Sequence, residues 1–247
     1  MSEPVILVIR RDDRFSSTLR DAGFDIVNLE LVQTRPLDDL SELRTKLASL
    51  NEYDGLFFTS PVAAQIFVEE RNKNNGFHGP VYALGRRASE VLTDNGLTVK
   101  SSDAVNTAAE LLADFDRSEF LGKRFLFIRG DKSIQTIPRV LGELATIEEV
   151  VVYKTDPADV DEVVIDNIRN RLFSNGKIRW VCFFSPSGVE RFDELFHDAT
   201  RNIKAAAIGA TTAEAVRQSG YRVEFVSARS DAEEFANGLI EHIKRSE

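Results

Sequence analysis

Two stretches of this chain are versions of one pattern. Residues 54–67 read DGLFFTSPVAAQIF and residues 179–192 read RWVCFFSPSGVERF. Each is an apolar run, then Thr-Ser-Pro or Phe-Ser-Pro, then apolar residues at helical spacing. The runs Leu56–Phe58 and Val181–Phe184 suit strands buried on both faces. Ser60 and Ser185 are placed as N-caps, where a serine oxygen accepts from the unpaired N–H groups of the first helical turn. Pro61 and Pro186 then fall at the first helical position, where a missing N–H costs nothing. The sequence therefore builds, twice, a strand that ends where a helix begins. Such a junction presents backbone donors and the positive end of a helix dipole. Junctions of this kind, facing one another across a cleft, are the expected ligand site.

The echo extends over most of the chain. VYALGRRASEVLTDNGLTVK (81–100) parallels AAAIGATTAEAVRQSGYRVE (205–224), with Gly85 matched to Gly209 and Gly96 to Gly220. Thr107 with Glu110, and Ser230 with Glu233, each have capping-box spacing. Upstream, residues 8–34 parallel residues 127–155, with Arg10 matched to Arg129, Gly23 to Gly142 and, after a small drift, Thr34 to Thr155. A repeat near 120 residues means two similar domains rather than a solenoid.

Within each repeat, short apolar runs alternate with amphipathic segments. The runs are Val5–Ile9, Ile26–Leu31, Leu56–Phe58, Val81–Leu84, Phe125–Ile128, Ile147–Val152, Val181–Phe184, Ala205–Ile208 and Val223–Val226. Alternation of strand and helix predicts an α/β protein with parallel sheets covered by helices. Gly23, Gly96 and Gly220 fall where helices end. Two equivalent proline-bearing spots, TRP at 34–36 and KTDP at 154–157, read as linkers. If both are crossovers, one lobe is residues 37–153 and the other is residues 1–33 plus 158–247. Two sequential lobes divided near residue 118 fit the periodicity equally well.

Composition removes several classes. A net charge of −9 gives no overall basic surface for nucleic acid. No apolar stretch approaches the ~18 residues of a membrane span. The N-terminus enters VILVIR without the pattern of a secretory signal, so a cytoplasmic, soluble protein is expected. The single cysteine, Cys182, lies inside an apolar run and reads as a buried thiol. His78, His197 and His242 show no metal spacing. Basic residues, by contrast, concentrate after apolar runs: Arg10, Arg11 and Arg14 after the first, Arg129 and Lys132 after its counterpart, Arg86 and Arg87 after another. In parallel α/β sheets the carboxyl ends of strands are where ligands bind. An acidic chain with arginines at those ends suits a small polycarboxylate.

The order and spacing of FTSP, FFSPSGV, IGATTAEA and VVVYKT resemble the uroporphyrinogen-III synthase family over essentially the whole chain. The resemblance implies two flavodoxin-like lobes joined by two extended strands, with the N-terminal βαβ piece packed in the C-terminal half. That selects the crossover division. It also implies hydroxymethylbilane, an open-chain tetrapyrrole with eight carboxylates, as substrate. The product is uroporphyrinogen III, with ring D inverted, and no metal or organic cofactor takes part. A monomer is expected, with transient contact to the enzyme that supplies the bilane.

This chemistry needs a proton donor for loss of the terminal hydroxyl, and otherwise positioning of a flexible polyanion. Unaided, the resulting cation closes to the wrong isomer. Tyr153 matches the tyrosine of the family's Tyr-x-Thr segment and is the first candidate for the acid. Thr212 matches a threonine of the family's Gly-x-Thr-Thr turn and is the second catalytic candidate. The candidate binding set is Arg10, Ser60, Gly85, Arg86, Arg87, Arg129, Gly130, Asp131, Ser185, Pro186, Ser187, Gly188, Gly209, Ala210 and Thr211. At the turn equivalent to Gly209–Thr212 the other repeat has Gly85-Arg86-Arg87-Ala88, so the hydroxyl is replaced by charge. A two-lobed polycarboxylate-binding protein that catalyses nothing is the competing reading. A nucleotide-binding module has little support, because no glycine-rich phosphate loop follows any run.

Overall fold

The structure, a computed structural model, describes residues 5–71, 77–100, 107–173, 178–197 and 203–246. The chain opens with β1 (Val5–Val8), α1 (Arg14–Asp21), β2 (Asp25–Asn28) and β3 (Val32–Pro36). Then come α2 (Ser41–Ala48), β4 (Gly55–Phe58), α3 (Pro61–Glu70), β5 (Val81–Ala83), α4 (Arg86–Asp94) and β6 (Val99–Lys100). The middle holds α5 (Ala108–Ala113), β7 (Arg124–Gly130), α6 (Thr136–Leu141) and β8 (Thr146–Pro157). The last part is α7 (Glu162–Phe173), β9 (Ile178–Phe183), α8 (Pro186–Phe196), β10 (Lys204–Ala207), α9 (Ala210–Gln218), β11 (Arg222–Val226) and α10 (Ala232–Ser246).

The chain divides into two compact units, residues 1–33 with 156–247, and residues 34–155. The sheet of the first unit has the order β11-β10-β9-β1-β2, all parallel. Counted along that unit this is 2-1-3-4-5, the flavodoxin-like arrangement. The second sheet has the order β3-β8-β7-β4-β5-β6, and the five strands from β8 to β6 are parallel. The sequence repeat matches β7 to β1, β4 to β9 and β5 to β10. The second sheet is thus the first one in permuted chain order, with β3 added beside β8. The chain passes between the units twice, within β3 and within β8.

Each strand interior is apolar at consecutive positions because both faces of each sheet are covered. In β1, Val5 and Leu7 join a cluster with Val189 and Phe192 of α8, while Ile6 and Val8 join Phe15 and Leu19 of α1 and Phe235 of α10. In β4, Leu56 and Phe58 face one cluster, with Ala63 and Phe67 of α3, and Phe57 faces the other, stacked 4.8 Å from Tyr82. Alternate side chains point to opposite faces, so a continuous apolar run fills two cores at once. Cys182 is fully buried on the α1/α10 face of its sheet, and burial pushes its thiol far up, away from nucleophile chemistry.

One local expectation changes. The cap of α10 is Asp231, not Ser230: its Oδ1 accepts from the N–H groups of Glu233 (2.9 Å) and Glu234 (3.1 Å). The helix starts one residue later than a Ser230 cap requires, and a carboxylate is the better acceptor. Residues 34–36 and 154–157, expected as extended crossovers, are the C-terminal ends of strands β3 and β8. The expected capping by Thr107 is present, with its hydroxyl accepting from the Glu110 N–H at 3.2 Å.

Away from the strands' carboxyl ends, Glu148 near the start of β8 ties three elements together. It accepts from Lys46 of α2, from Tyr53 at 2.9 Å and from Arg124 of β7 at 2.6 Å. The Lys46 hydrogen bond, with those from Arg124 and Tyr53, holds the Glu148 carboxyl at about 2 against partial burial. A depressed carboxyl contributes stability above the unfolded value near 4.5, and that contribution is lost as pH falls from there towards 2. Glu148→Gln should therefore lower the melting temperature at pH 7 and lower it by clearly less at pH 3. Thermal unfolding at both pH values checks this. An equal loss at the two would remove the ionic network from the account.

Candidate active site

The order 2-1-3-4-5 reverses direction once in each unit, between β1 and β9 and between β7 and β4. At such a switch point neighbouring helices leave the sheet to opposite sides and open a crevice at the strands' carboxyl ends. In the second unit that place is occupied by Ser60, after β4, and by Arg129, Gly130 and Asp131, at the end of β7.

Tyr153 joins them through an irregularity in pairing. Along β7 and β8, Ile128 pairs with Val150 and Arg129 with Val151, but Gly130 pairs with Tyr153. The extra residue, Val152, makes a bulge that turns Tyr153 to a place regular pairing would give to its neighbour. The ring then lies against Gly130. A Cβ there would sit 2.3 Å from Tyr153 Cζ and 2.7 Å from its hydroxyl oxygen, so this position admits glycine alone while the ring keeps its place. The phenol donates to Ser60 Oγ at 3.0 Å, and Ser60 Oγ also accepts from the Val62 N–H at 3.2 Å as the cap of α3. Asp131 secures the other side: its N–H donates to the Tyr153 carbonyl at 3.1 Å, and its Oδ1 accepts from the N–H of Thr155 at 3.0 Å. Burial pushes the Tyr153 phenol above the usual tyrosine range, and the Asp131 carboxylate adds to this against hydrogen bonds with Ser60 and Ser133. The phenol is therefore protonated at neutral pH and able to donate.

Arg129 is engaged within its own unit. Its Nε donates to Glu149 at 2.5 Å and its Nη1 to the Gly130 carbonyl at 2.8 Å, so it braces the end of β7. Gly85 starts α4 with φ of 85°, a left-handed conformation suited to glycine. No side chain caps that helix, its first turn has no acid, and Arg86 and Arg87 are exposed on it. Cations at a helix N-terminus oppose the dipole. The N–H groups of Arg86, Arg87 and Ala88 and two guanidinium groups therefore favour an anion at the same place.

The first unit repeats the framework with other chemistry. Ser185 caps α8, accepting from the Gly188 N–H at 3.1 Å, with Ser187 Oγ 3.1 Å away. Pro186 takes the first helical position. Gly188 is buried, and a Cβ there would lie 3.3 Å from Ser185 Oγ. Arg10, beyond β1, pairs with Asp13 at 2.7 Å and lies 4.4 Å over the Phe184 ring. Gly209 starts α9 without a side-chain cap, and a Cβ there would meet Ser230 Oγ at 2.6 Å. Ala210 is exposed and Thr211 half-buried, whereas Thr212 is 4% exposed. The N–H groups of Ala210, Thr211 and Thr212 precede the first intrahelical bond, Ala213 N–H to Gly209 carbonyl at 2.9 Å. Among the described residues no group of three or more His, Cys, Asp or Glu could hold a metal ion. His242 packs against Trp180 and Phe225, and His197 lies beside Asp193.

Residues 13–237 match the uroporphyrinogen-III synthase family. The chain belongs to that family. It is 28% identical over 239 residues to uroporphyrinogen-III synthase of Chlorobaculum parvum, covering 93% of this chain and 94% of the relative. It is 24% identical over 245 residues to a putative uroporphyrinogen-III synthase of Archaeoglobus fulgidus, covering 97% of each. Among solved structures, a mutant uroporphyrinogen III synthase of Thermus thermophilus has the same fold, with a TM-score of 0.69 at 18% identity over 98% of this chain and 99% of that one.

Within this member of the uroporphyrinogen-III synthase family the two switch points are chemically unequal. The repeat places Val32 of the first unit where the second has Tyr153, and Arg11 where it has Gly130. The seated tyrosine belongs to one unit only. One hydroxyl at this seat, Ser133, does not appear in the sequence-based set. Its Oγ accepts from the Gly130 N–H at 3.2 Å. The signal was its place three residues beyond Gly130, in the segment Gly-Asp-Lys-Ser.

Gly130→Ala should cost about 1–3 kcal/mol, the scale of an overpacked site. In a Tyr153→Ala background the same change should cost under about 0.5 kcal/mol, because the atoms it meets are gone. Denaturant unfolding of the four proteins checks this, and equal costs in both backgrounds would contradict the seat.

Proposed function

We propose that this chain is a cyclising lyase, a uroporphyrinogen-III synthase. It takes hydroxymethylbilane, expels the terminal hydroxyl as water and closes the ring with ring D inverted. The observation that carries the reading is the half-buried, protonated Tyr153 at the switch point of a chain that belongs to this family. Loss of hydroxide from the bilane is slow unless a proton reaches the departing oxygen. In this reading Tyr153 supplies it, and the resulting azafulvenium cation is attacked by the substituted carbon of ring D, passes through a spiro intermediate and recloses.

The remaining work is positioning. Carboxylates of the substrate pair with backbone N–H groups at the start of α4, with Arg86 and Arg87 adding charge, and the start of α9 in the other unit offers donors of the same kind. Ser60, Ser185, Pro186, Ser187 and Gly188 shape the Ser-Pro junctions, and Arg10, Arg129 and Asp131 brace the loops beside them. Thr212, buried in the first turn of α9, orders the donors of that turn, and Thr211 meets the carboxylate. The bilane closes spontaneously to the wrong isomer, which favours transient contact with the enzyme that supplies it. We place the protein in the cytoplasm as a monomer, a reading in keeping with the absence, among the described residues, of a helix long and apolar enough to cross a membrane.

The test is turnover and isomer analysis with enzymatically generated hydroxymethylbilane. The wild-type protein should give the III isomer. Tyr153→Phe should lower turnover by roughly ten- to a hundredfold, the scale of one transition-state hydrogen bond. Thr212→Ala should lower it less and release more of the I isomer, because anion positioning weakens while backbone donors persist. Full activity of Tyr153→Phe together with loss in Thr212→Ala would move the chemistry to the α9 turn. A wild-type protein that binds the bilane and leaves its closure to the I isomer unchanged would favour a binding protein.

A further inference from the structure

The Tyr153 phenol gives its hydrogen to Ser60 Oγ at 3.0 Å, and the Val62 N–H gives its own to the same oxygen at 3.2 Å. A hydroxyl has two acceptor positions and one hydrogen. Both positions of Ser60 Oγ are therefore filled, and the serine hydrogen is the one left to give. The tyrosine ring is held against Gly130, which keeps the phenol oxygen beside Ser60. Ser60 is also the N-cap of α3, so its oxygen sits at the positive end of a helix of 10 residues, where developing negative charge is best tolerated. The matching serine of the other unit, Ser185, accepts from the Gly188 N–H and has Ser187 Oγ as its hydroxyl neighbour, and the repeat puts Val32 where Tyr153 stands.

We propose that Ser60 is a catalytic residue that relays the proton of Tyr153 to the departing hydroxyl of the bilane. This rests on Tyr153 being the acid. In the step concerned, the Ser60 O–H bond and the C–O bond of the hydroxymethyl group break. The serine proton joins the departing oxygen, which leaves as water. The phenolic O–H bond breaks with them, and its proton crosses the 3.0 Å hydrogen bond to Ser60 Oγ. A phenolate and an azafulvenium cation remain, and the serine is a hydroxyl again. The charge ends on the phenol because a phenol is a far stronger acid than an alcohol, so no free serine alkoxide forms. The proton lost later from the ring-closing carbon restores the phenol. A serine that only oriented the phenol would need an accepting oxygen and nothing more. A relay needs the accepting oxygen and a hydrogen on the same atom.

Kinetics on Ser60→Ala, Ser60→Thr, Ser60→Asn, Tyr153→Phe and the double variant Ser60→Ala/Tyr153→Phe test this with enzymatically generated hydroxymethylbilane. Ser60→Ala should lower kcat about tenfold with KM changed by less than about twofold. Ser60→Thr, which keeps both the cap and the hydroxyl, should recover most of that loss. Ser60→Asn caps a helix as well as serine and can accept from the phenol, but its accepting oxygen carries no hydrogen. It should stay within about threefold of Ser60→Ala. The double variant should match Tyr153→Phe within about twofold, because both residues serve one transfer. With activity lost in Tyr153→Phe, unchanged kcat in Ser60→Ala would overturn this inference alone and leave the phenol as a direct donor. Recovery in Ser60→Asn would overturn it too, by reducing Ser60 to an acceptor that orients the phenol. Equal losses in Ser60→Thr and Ser60→Ala, or multiplying losses in the double variant, would also overturn it. Full activity in Tyr153→Phe would overturn both this inference and the assignment of the acid. Should Ser60→Ala fail to fold, Ser60→Gly, which disturbs a helix start less, carries the same comparison.

Discussion

Parallel strand pairing is the constraint on which everything else depends. A parallel strand is followed by a crossover that returns over the sheet face, so every carboxyl end comes to the same edge and hands over to a helix start there. This chain meets that requirement four times with a short device: Ser-Pro after β4 and after β9, a glycine after β5 and after β10. The serines satisfy the first-turn donors of α3 and α8. The glycines give α4 and α9 no capping side chain. In each unit a helix start without a capping side chain thus lies beside a Ser-Pro start, and it is suited to a carboxylate.

The second unit adds what the first lacks. A bulge in β8, a glycine in β7 and the cap of α3 converge on one phenol. None of the three is sufficient alone. Without the bulge the tyrosine faces elsewhere, without the glycine the ring has no seat, and without Ser60 its hydroxyl has no fixed partner. The cap therefore serves two ends, since the same oxygen that stabilises the start of α3 orients the acid. A phenol is protonated at neutral pH, as a proton donor there requires, and partial burial moves it further from ionising. A phenol is a weak acid, and the carboxylate of Asp131 beside it makes it weaker still.

Much of this was legible in the residues, for physical reasons. Strands buried on both faces read as unbroken apolar runs, and Ser-Pro and Gly punctuate their ends, so β1, β4, β5, β7, β9 and β10 could be placed closely. The C-terminal glycines of α1, α4 and α9 showed themselves through their left-handed backbone at Gly23, Gly96 and Gly220. What stayed hidden was whatever depends on register. β6 is two residues long and carries no pattern. β3 reads as a linker because four of its five residues are exposed. The bulge that puts Tyr153 opposite Gly130 leaves no periodicity signal, and neither does the anchoring of Ser133, a contact between loop and strand. Arg129 looked like a ligand residue because it follows a strand. Its engagement with Glu149 follows from a cross-strand pairing that sequence alone does not give. Thr212 drew more attention than Thr211 through resemblance, yet the more exposed of the two is Thr211.

The most direct test is a crystal structure of the protein with uroporphyrinogen III bound. Carboxylate oxygens of the product should lie within hydrogen-bond distance, about 3 Å, of the backbone N–H groups at the start of α4, and the Tyr153 hydroxyl should face the carbon bridge formed on closure. Product bound away from these strand ends, with the first-turn N–H groups of α4 and the Tyr153 hydroxyl turned to solvent, would contradict the account.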